Sequence, residues 1–374
     1  MLRIYQSRNQ SNAKDYYTAA LAQEDYYTAD REIVGRWRGA GATYLNLGEL
    51  VDRDTFAALC ENRHPTTGGK LTPRTRDDRT VGYDCNFHAP KSISVIHALT
   101  GDERIVEAMR WSVDQAMLEL ERSTQTRVRL GGKSEDRLTG NLAWGEFVHF
   151  TARPVEGVAD PHLHVHAFAF NATFDQTEQR WKAAKFKEAV RDAPYFAAVF
   201  HARLAGRLAD LGYTIERIGD RWELAGVPRT VIEKFSNRTK EIEAEAQRRG
   251  ITDPTRKSEL GARTRKAKDT YLTVEDQRGM WWHRLTSEEQ EALHRVSQGP
   301  DLKGHGLDDP LREQASPERI TAKQALDYAI AHTFQTTSVE CSRRLMATAL
   351  NYGVGHVSPE AIADELSRRA EPPG

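Results

Sequence analysis

Residues 161–171 read Pro-His-Leu-His-Val-His-Ala-Phe-Ala-Phe-Asn, an alternation that only an extended backbone puts to use. Successive side chains of a β-strand point to opposite faces, so His162, His164 and His166 fall on one face and Leu163, Val165, Ala167 and Ala169 on the other. The small apolar residues suit packing against helices. Three imidazoles from one strand face fill a core poorly and hold a metal ion well. Neutral imidazole is a ligand for Zn, Mn, Co, Ni or Cu, and three protein ligands leave coordination positions open for a substrate oxygen. A single buried histidine would read as structural; three in this pattern point to a metal or phosphate site.

At 374 residues the chain is long enough for one large core and a smaller C-terminal unit. Its net charge of −1 selects no class of partner, but the distribution is uneven. Between Asn237 and Lys268 stand ten Lys or Arg against five acids, a stripe that suits either a solvated helix face or a phosphate backbone. Cys60, Cys85 and Cys341 are scattered and form no CxxC, which argues against a disulfide framework and for a reducing compartment. The first residues, Met1-Leu2-Arg3-Ile4-Tyr5, turn polar too soon for a signal peptide. No apolar run approaches the roughly 18 residues that cross a bilayer. The expectation is a cytoplasmic protein without membrane insertion.

Periodicity predicts strands over 81–88, 127–130, 141–150 and 162–173, and a further strand after Pro90 through Ile93, Val95 and Ile96. Helical spacing of Ile105, Met109, Val113, Ala116, Met117 and Leu120 predicts an amphipathic helix over 104–124. Further helices are expected over 54–61 and 193–211, and a hairpin turning at Gly219-Asp220. Strands mixed with helices of unequal length imply an α+β fold with a central antiparallel sheet, helices on its flanks and a mostly helical C-terminal region. Residues 297–318 are rich in Gly, Pro and Asp and read as a linker, separating a domain of residues 1–296 from a helical unit over 319–374.

Two tyrosine pairs, Tyr16-Tyr17 and Tyr26-Tyr27, each follow an aspartate and precede a threonine. Paired tyrosines are usually packing residues, but a phenol can serve as a covalent nucleophile when a base or cation assists it. Asp84 lies on the polar face of its strand, where it could take the phenolic proton or orient an imidazole. His149 is a further candidate ligand. Together these groups suit phosphoryl transfer, in which a cation polarises a phosphodiester and a tyrosine oxygen displaces a sugar hydroxyl.

The order of these elements resembles the relaxase domain of conjugative plasmid proteins, the MobF class of HUH endonucleases. The resemblance rests on the tyrosine pairs, Gly82-Tyr83-Asp84-Cys85-Asn86-Phe87-His88-Ala89-Pro90-Lys91-Ser92, His149-Phe150-Thr151-Ala152-Arg153 and the histidine strand ending in Asn171, and it spans about residues 1–296. It implies a palm-like antiparallel sheet and a metal-dependent endonuclease and strand transferase. Such an enzyme nicks single-stranded DNA at an origin of transfer, remains linked to the 5′ phosphate and later rejoins the ends. Carried over by position, Tyr16 is the initiating nucleophile and Tyr26 serves the second strand-transfer step, with Tyr17 and Tyr27 supporting. Asp84 is the acid beside the nucleophile, and His149, His164 and His166 are the metal ligands. His162 stands where relatives commonly carry glutamine. Lys91 and Arg153 are expected at the DNA backbone or in support, and Arg238, Lys266 and Lys268 on the DNA. The resemblance also implies one divalent ion (Mg, Mn or Zn), relaxosome accessory and secretion-coupling proteins as partners, a bacterial cytoplasmic setting and a monomer.

Fourteen residues separate His149 from His164, more than in the best-known plasmid enzymes, and Phe150 stands where an acid often follows the first histidine. Either His149 or His162 could therefore complete the triad. No GxxxxGK[ST] loop follows the relaxase region, so the chain reads as a segment of a longer protein or as one without a motor. Three rivals share some of these features: a rolling-circle replication initiator of the same superfamily, a histidine-triad nucleotide hydrolase, and a non-catalytic module whose tyrosines stack bases. The hydrolase leaves both tyrosine pairs without a role, and the N-terminal position of those pairs favours the relaxase over the initiator.

Overall fold

Alternating residues build the inner strands of a five-stranded antiparallel sheet in the computed structural model, which describes residues 2–8, 35–73, 78–155, 159–253, 256–257, 260, 274–299 and 319–370. The seven strands that matter for the site and its surroundings are β1 (Leu2–Ser7), β2 (Arg36–Arg38), β3 (Gly82–His88), β4 (Gln125–Leu130), β5 (Lys133–Leu138), β6 (Trp144–Thr151) and β7 (Pro161–Phe170). The main sheet runs β1-β3-β7-β6-β2, with every adjacent pair antiparallel. The histidine strand β7 is its centre.

The two faces of the sheet divide as the alternation requires. Cys85, Phe87, Trp144, Val148, Leu163, Val165, Ala167 and Ala169 join the main core. There they meet α2 (Lys91–Thr100), α3 (Glu103–Arg122) and α4 (Ala193–Asp210), which follow the shorter α1 (Arg53–Cys60) along the chain. Asp102 caps α3 by accepting from Arg104 N–H, and the helical-spaced Ile105, Met109, Val113, Ala116, Met117 and Leu120 are all buried. Each of these side chains larger than alanine contributes about 1.5–3 kcal/mol when fully removed from water. On the opposite face, Trp37, Phe147, Phe168 and Phe170 pack with Phe56 and Leu59 of α1 in a second core. That cluster ends at Phe147 and Phe168, and the histidines begin two residues away, His149 after Phe147 and His166 before Phe168.

Residues 91–100 form helix α2, which corrects the strand expected through Ile93, Val95 and Ile96. Every residue from Ser92 to Ala98 is buried, so the helix has no polar face to reveal its period, and its β-branched residues imitate a buried strand. Its N-terminus is satisfied at long range: Ser92 N–H donates to Glu223 Oε2 at 2.8 Å, a carboxylate favoured at the positive end of a helix. Strand β5 was not expected. It pairs with β4 in a hairpin whose turn residues Gly131 and Gly132 have φ of 56° and 81°, values that favour glycine. The histidine strand also stops earlier than expected, at Phe170, and a separate short strand, Thr173–Asp175, follows.

Beyond the hairpin Ile215–Ile218/Arg221–Leu224 the described chain is helical. It comprises α5 (Asn237–Arg248), α6 (Val274–His283), α7 (Ser287–Ser297), α8 (Ala322–Thr333), α9 (Ser342–Tyr352) and α10 (Pro359–Ala370), besides the short helix Arg229–Lys234. Ala325, Leu326, Leu345, Leu350 and Ile362 of the last three helices are buried in the main core. Ion pairs Arg343–Asp192 and Arg203–Glu360 tie the same helices to the region of α4. Among the described residues, no helix is long and apolar enough to cross a membrane.

Candidate active site

Because β7 lies between β3 and β6, its histidine face receives neighbours from both sides. His164 stands opposite His88 on β3 and His149 on β6, and His166 opposite Asn86 and Phe147. The rings of His149, His164 and His166 form a compact group, with centroids 5.3 Å apart for the first and second, 4.9 Å for the first and third, and 5.2 Å for the second and third. The β6–β7 register shifts between His149 and Thr151, an irregularity of the kind that re-aims a side chain beside a site.

The hydrogen bonds assign tautomers. A carbonyl or carboxylate oxygen only accepts, so a ring nitrogen bonded to one must carry the proton. His164 Nδ1–H donates to the His162 carbonyl at 2.8 Å, and His166 Nδ1–H donates to Asp84 Oδ2 at 2.9 Å and Oδ1 at 3.1 Å. Both rings therefore present Nε2 lone pairs as donors. A carboxylate behind a ligand imidazole fixes its orientation and raises its basicity. Burial, reinforced by the neighbouring rings, pushes His164 well below the usual imidazole range and keeps it in the neutral, metal-binding form.

This donor set fits a divalent ion in chemistry and proximity. Among the described residues no three His, Cys, Asp or Glu side chains are arranged to hold an ion as they stand.

His162 has a different setting. Its Nε2 lies 3.0 Å from Nδ1 of His88, and the two rings are stacked with centroids 5.0 Å apart. Burial, with Lys91 next, lowers His162 to about 3, and burial also takes His88 well below its ordinary value. Lys91 opens α2 and donates from Nζ to the carbonyl of Pro161 at 2.7 Å, while burial pushes it down to about 8. Arg153 follows β6 and is half-buried. Arg238 lies in α5, paired with Glu241. Tyr16, Tyr17, Tyr26, Tyr27, Lys266 and Lys268 lie outside the described residues.

Two residues here escaped the sequence reading. His88 shares the period-two face of Asp84 and Asn86, a signal that could have placed it beside the β7 histidines. Asp160 gave no such signal. It is 3% exposed just before β7, where its carboxylate accepts from Asn237 N–H at 2.8 Å and from Arg284 Nη1 at 3.0 Å. Trp281 Nε1 donates to the neighbouring carbonyl of Ala159 at 2.8 Å. These bonds fasten the start of the histidine strand to α5 and α6.

The chain and its fold have counterparts in known proteins. The family model described as TrwC relaxase matches residues 10–287. The chain is 35% identical over 256 residues to the multifunctional conjugation protein TraI of Escherichia coli strain K12, covering 65% of this chain and 14% of that protein. It thus spans about one seventh of the length of that relative. Among solved structures, the metal-bound complex of the conjugative relaxase TrwC with oriT DNA matches with a TM-score of 0.66 and 32% identity, over 76% of this chain and 97% of that one. A copper-bound form of the same complex matches with a TM-score of 0.67 and 32% identity, over 78% and 98%.

Proposed function

Because the chain belongs to the TrwC relaxase family, we propose that it is a conjugative relaxase: a site- and strand-specific endonuclease and strand transferase acting on single-stranded DNA at an origin of transfer. The oriT DNA in the TrwC complexes and the conjugative role in the name of TraI support the substrate. The observation that carries the reading is the gathering of His149, His164 and His166, with Asp84 behind His166, at the end of the sheet face that the second core leaves uncovered.

His149, His164 and His166 are the residues that would hold one divalent ion. His162 is engaged by His88, which favours His149 as the third ligand. When bound, the ion polarises the phosphodiester and stabilises charge on its non-bridging oxygens. Nitrogen donors favour Mn or Zn over Mg, which prefers oxygen. Metal-bound and copper-bound TrwC structures support a metal cofactor of this kind. Asp84 keeps the proton on His166 Nδ1, and as the carboxylate of the site it is the group assigned to receive the phenolic proton.

Tyr16 supplies the nucleophile. Its oxygen forms a bond to phosphorus as its proton passes to Asp84, the bond to the 3′ oxygen breaks, and that oxygen leaves as a hydroxyl by taking up one proton, so the net proton count is unchanged. One phosphodiester replaces another, so the 5′-phosphotyrosine stores the bond for rejoining. Tyr26 serves the second transfer, with Tyr17 and Tyr27 in support. Lys91 and Arg153 contact the DNA backbone or support the site, and Arg238, Lys266 and Lys268 contact the DNA backbone. Residues 1–296 constitute the relaxase domain, 297–318 a linker and 319–374 a helical unit. The protein works as a monomer in the bacterial cytoplasm with relaxosome accessory and secretion-coupling proteins.

The test is incubation with labelled single-stranded oriT DNA and a divalent cation, followed by a search for an SDS-resistant conjugate and mapping of its peptide. Tyr16→Phe removes one oxygen and is expected to abolish the conjugate while preserving DNA binding. Full-strength conjugate in that variant moves the nucleophile to another tyrosine, and no conjugate with the wild-type protein rejects the enzymatic reading.

A further inference from the structure

His88 is a histidine that the proposed reaction does not use, placed against the ligands that it does. We propose that His88 is a positioning residue that fixes His164 for metal binding, acting from β3 through a brace with His162. The inference rests on the assignment of His149, His164 and His166 as ligands.

Three contacts carry it. His88 and His164 are cross-strand partners, and their rings lie nearly parallel, 18° apart with centroids at 5.5 Å. On its other side His164 faces His149 at 5.3 Å and 25°, so the ligand ring is held between two imidazoles from opposite strands. The second contact is the 3.0 Å approach of His88 Nδ1 to His162 Nε2. The third is the bond from His164 Nδ1–H to the carbonyl of His162, which sets the tautomer leaving Nε2 as the donor. His162 thus meets His88 through its ring and His164 through its backbone.

Two neutral imidazoles share one hydrogen bond by placing a proton on either facing nitrogen, so the brace holds in both tautomeric arrangements. It needs neither ring charged. A glutamine at position 162 offers both an amide donor and an acceptor to His88, so the brace survives that exchange, whereas alanine removes it.

Removing outer partners of metal-bound histidines commonly weakens metal affinity about 10-fold to 100-fold. Co(II) is the probe, because its visible d–d bands report ligand geometry directly, and each variant's thermal midpoint is recorded in parallel. His88→Ala is expected to raise the Kd for Co(II) about 10-fold and shift the bands. His162→Ala should match it, and His162→Gln should retain wild-type affinity and spectrum. If His88→Ala fails to fold, His88→Asn, which keeps the link to His162 but loses the ring against His164, is expected to shift the bands. A folded His88 variant with wild-type Kd and spectrum overturns the inference. Wild-type protein that takes up no Co(II) removes the metal assignment itself, a failure seen before any variant is compared.

Discussion

Asp84→Asn separates the carboxylate's charge from its shape. His166 is 5% exposed, and its Nδ1–H reaches both oxygens of Asp84, so the bond is charge-assisted and shielded from water. Hydrogen bonds to charged groups contribute about 1.5–3 kcal/mol, against about 0.5–1.5 for neutral ones. An asparagine that still accepts from Nδ1–H therefore forfeits about 1.4 kcal/mol, which is about 10-fold in metal Kd. An asparagine that turns its NH2 toward the ring does more harm, because it drives the proton to Nε2, the nitrogen the metal requires. The expected weakening is thus about 10-fold to 100-fold. Titration calorimetry with Mn or Zn into metal-stripped protein measures it. Asn86→Ala is the control, because its Nδ2 approaches Asp84 only to 3.5 Å. A Kd for Asp84→Asn within twofold of wild type would refute the claim that Asp84 sets the tautomer of a ligand. Conjugate formation at saturating metal then separates the second role: if Asp84 also receives the phenolic proton, the rate stays depressed after metal binding is restored.

Other measurements reach different parts of the molecule. Burial, with Arg278 next, lowers His97 to about 4 from an ordinary 6.5. The unfolded chain then takes up a proton near pH 6.5 that the folded chain refuses until about pH 4. Stability is fully present above pH 6.5 and falls with acidification toward pH 4, by about 3 kcal/mol for this group. Urea midpoints at pH 7.5 and 5 should show the fall, and His97→Phe should reduce it, the remainder coming from buried His88, His162 and His164; an unchanged slope in that variant assigns the whole effect to those other groups. Asp160→Ala leaves Arg284 and the Asn237 amide without their buried acceptor and is expected to destabilise by about 3 kcal/mol in chemical denaturation. A loss below 0.5 kcal/mol, roughly the size of an ordinary surface substitution, would show that the fastening is dispensable. Replacing Lys266 and Lys268 with alanine should weaken DNA binding and flatten its salt dependence by about 1.4 in log–log slope for single strands, and an unchanged slope would return the stripe to a solvated face.

Some of this protein was decided within single segments. The alternation in β7 fixes which residues share a face whatever lies beside the strand, because the extended backbone reverses the side-chain direction at each step. The spacing in α3 likewise fixes its buried stripe, and Asp102 its beginning. Helix α2 was not legible in this way, because burial of Ser92, Ser94 and His97 along with its apolar residues leaves no solvent-facing polar stripe from which a period is read. Nor could the strand rank its own histidines. His162, His164 and His166 are equivalent by alternation, and they diverge only because β3 brings His88 and Asp84 to one side while β6 brings His149 to the other. Sequence alone determined that three imidazoles share a face; the order of strands in the sheet decided which of them meets a carboxylate, which stands between two rings and which is paired away. The physical reason is that side-chain direction is a local property of the backbone, whereas the carboxylate that meets His166 and the ring that engages His162 arrive from β3, 82 and 74 positions away.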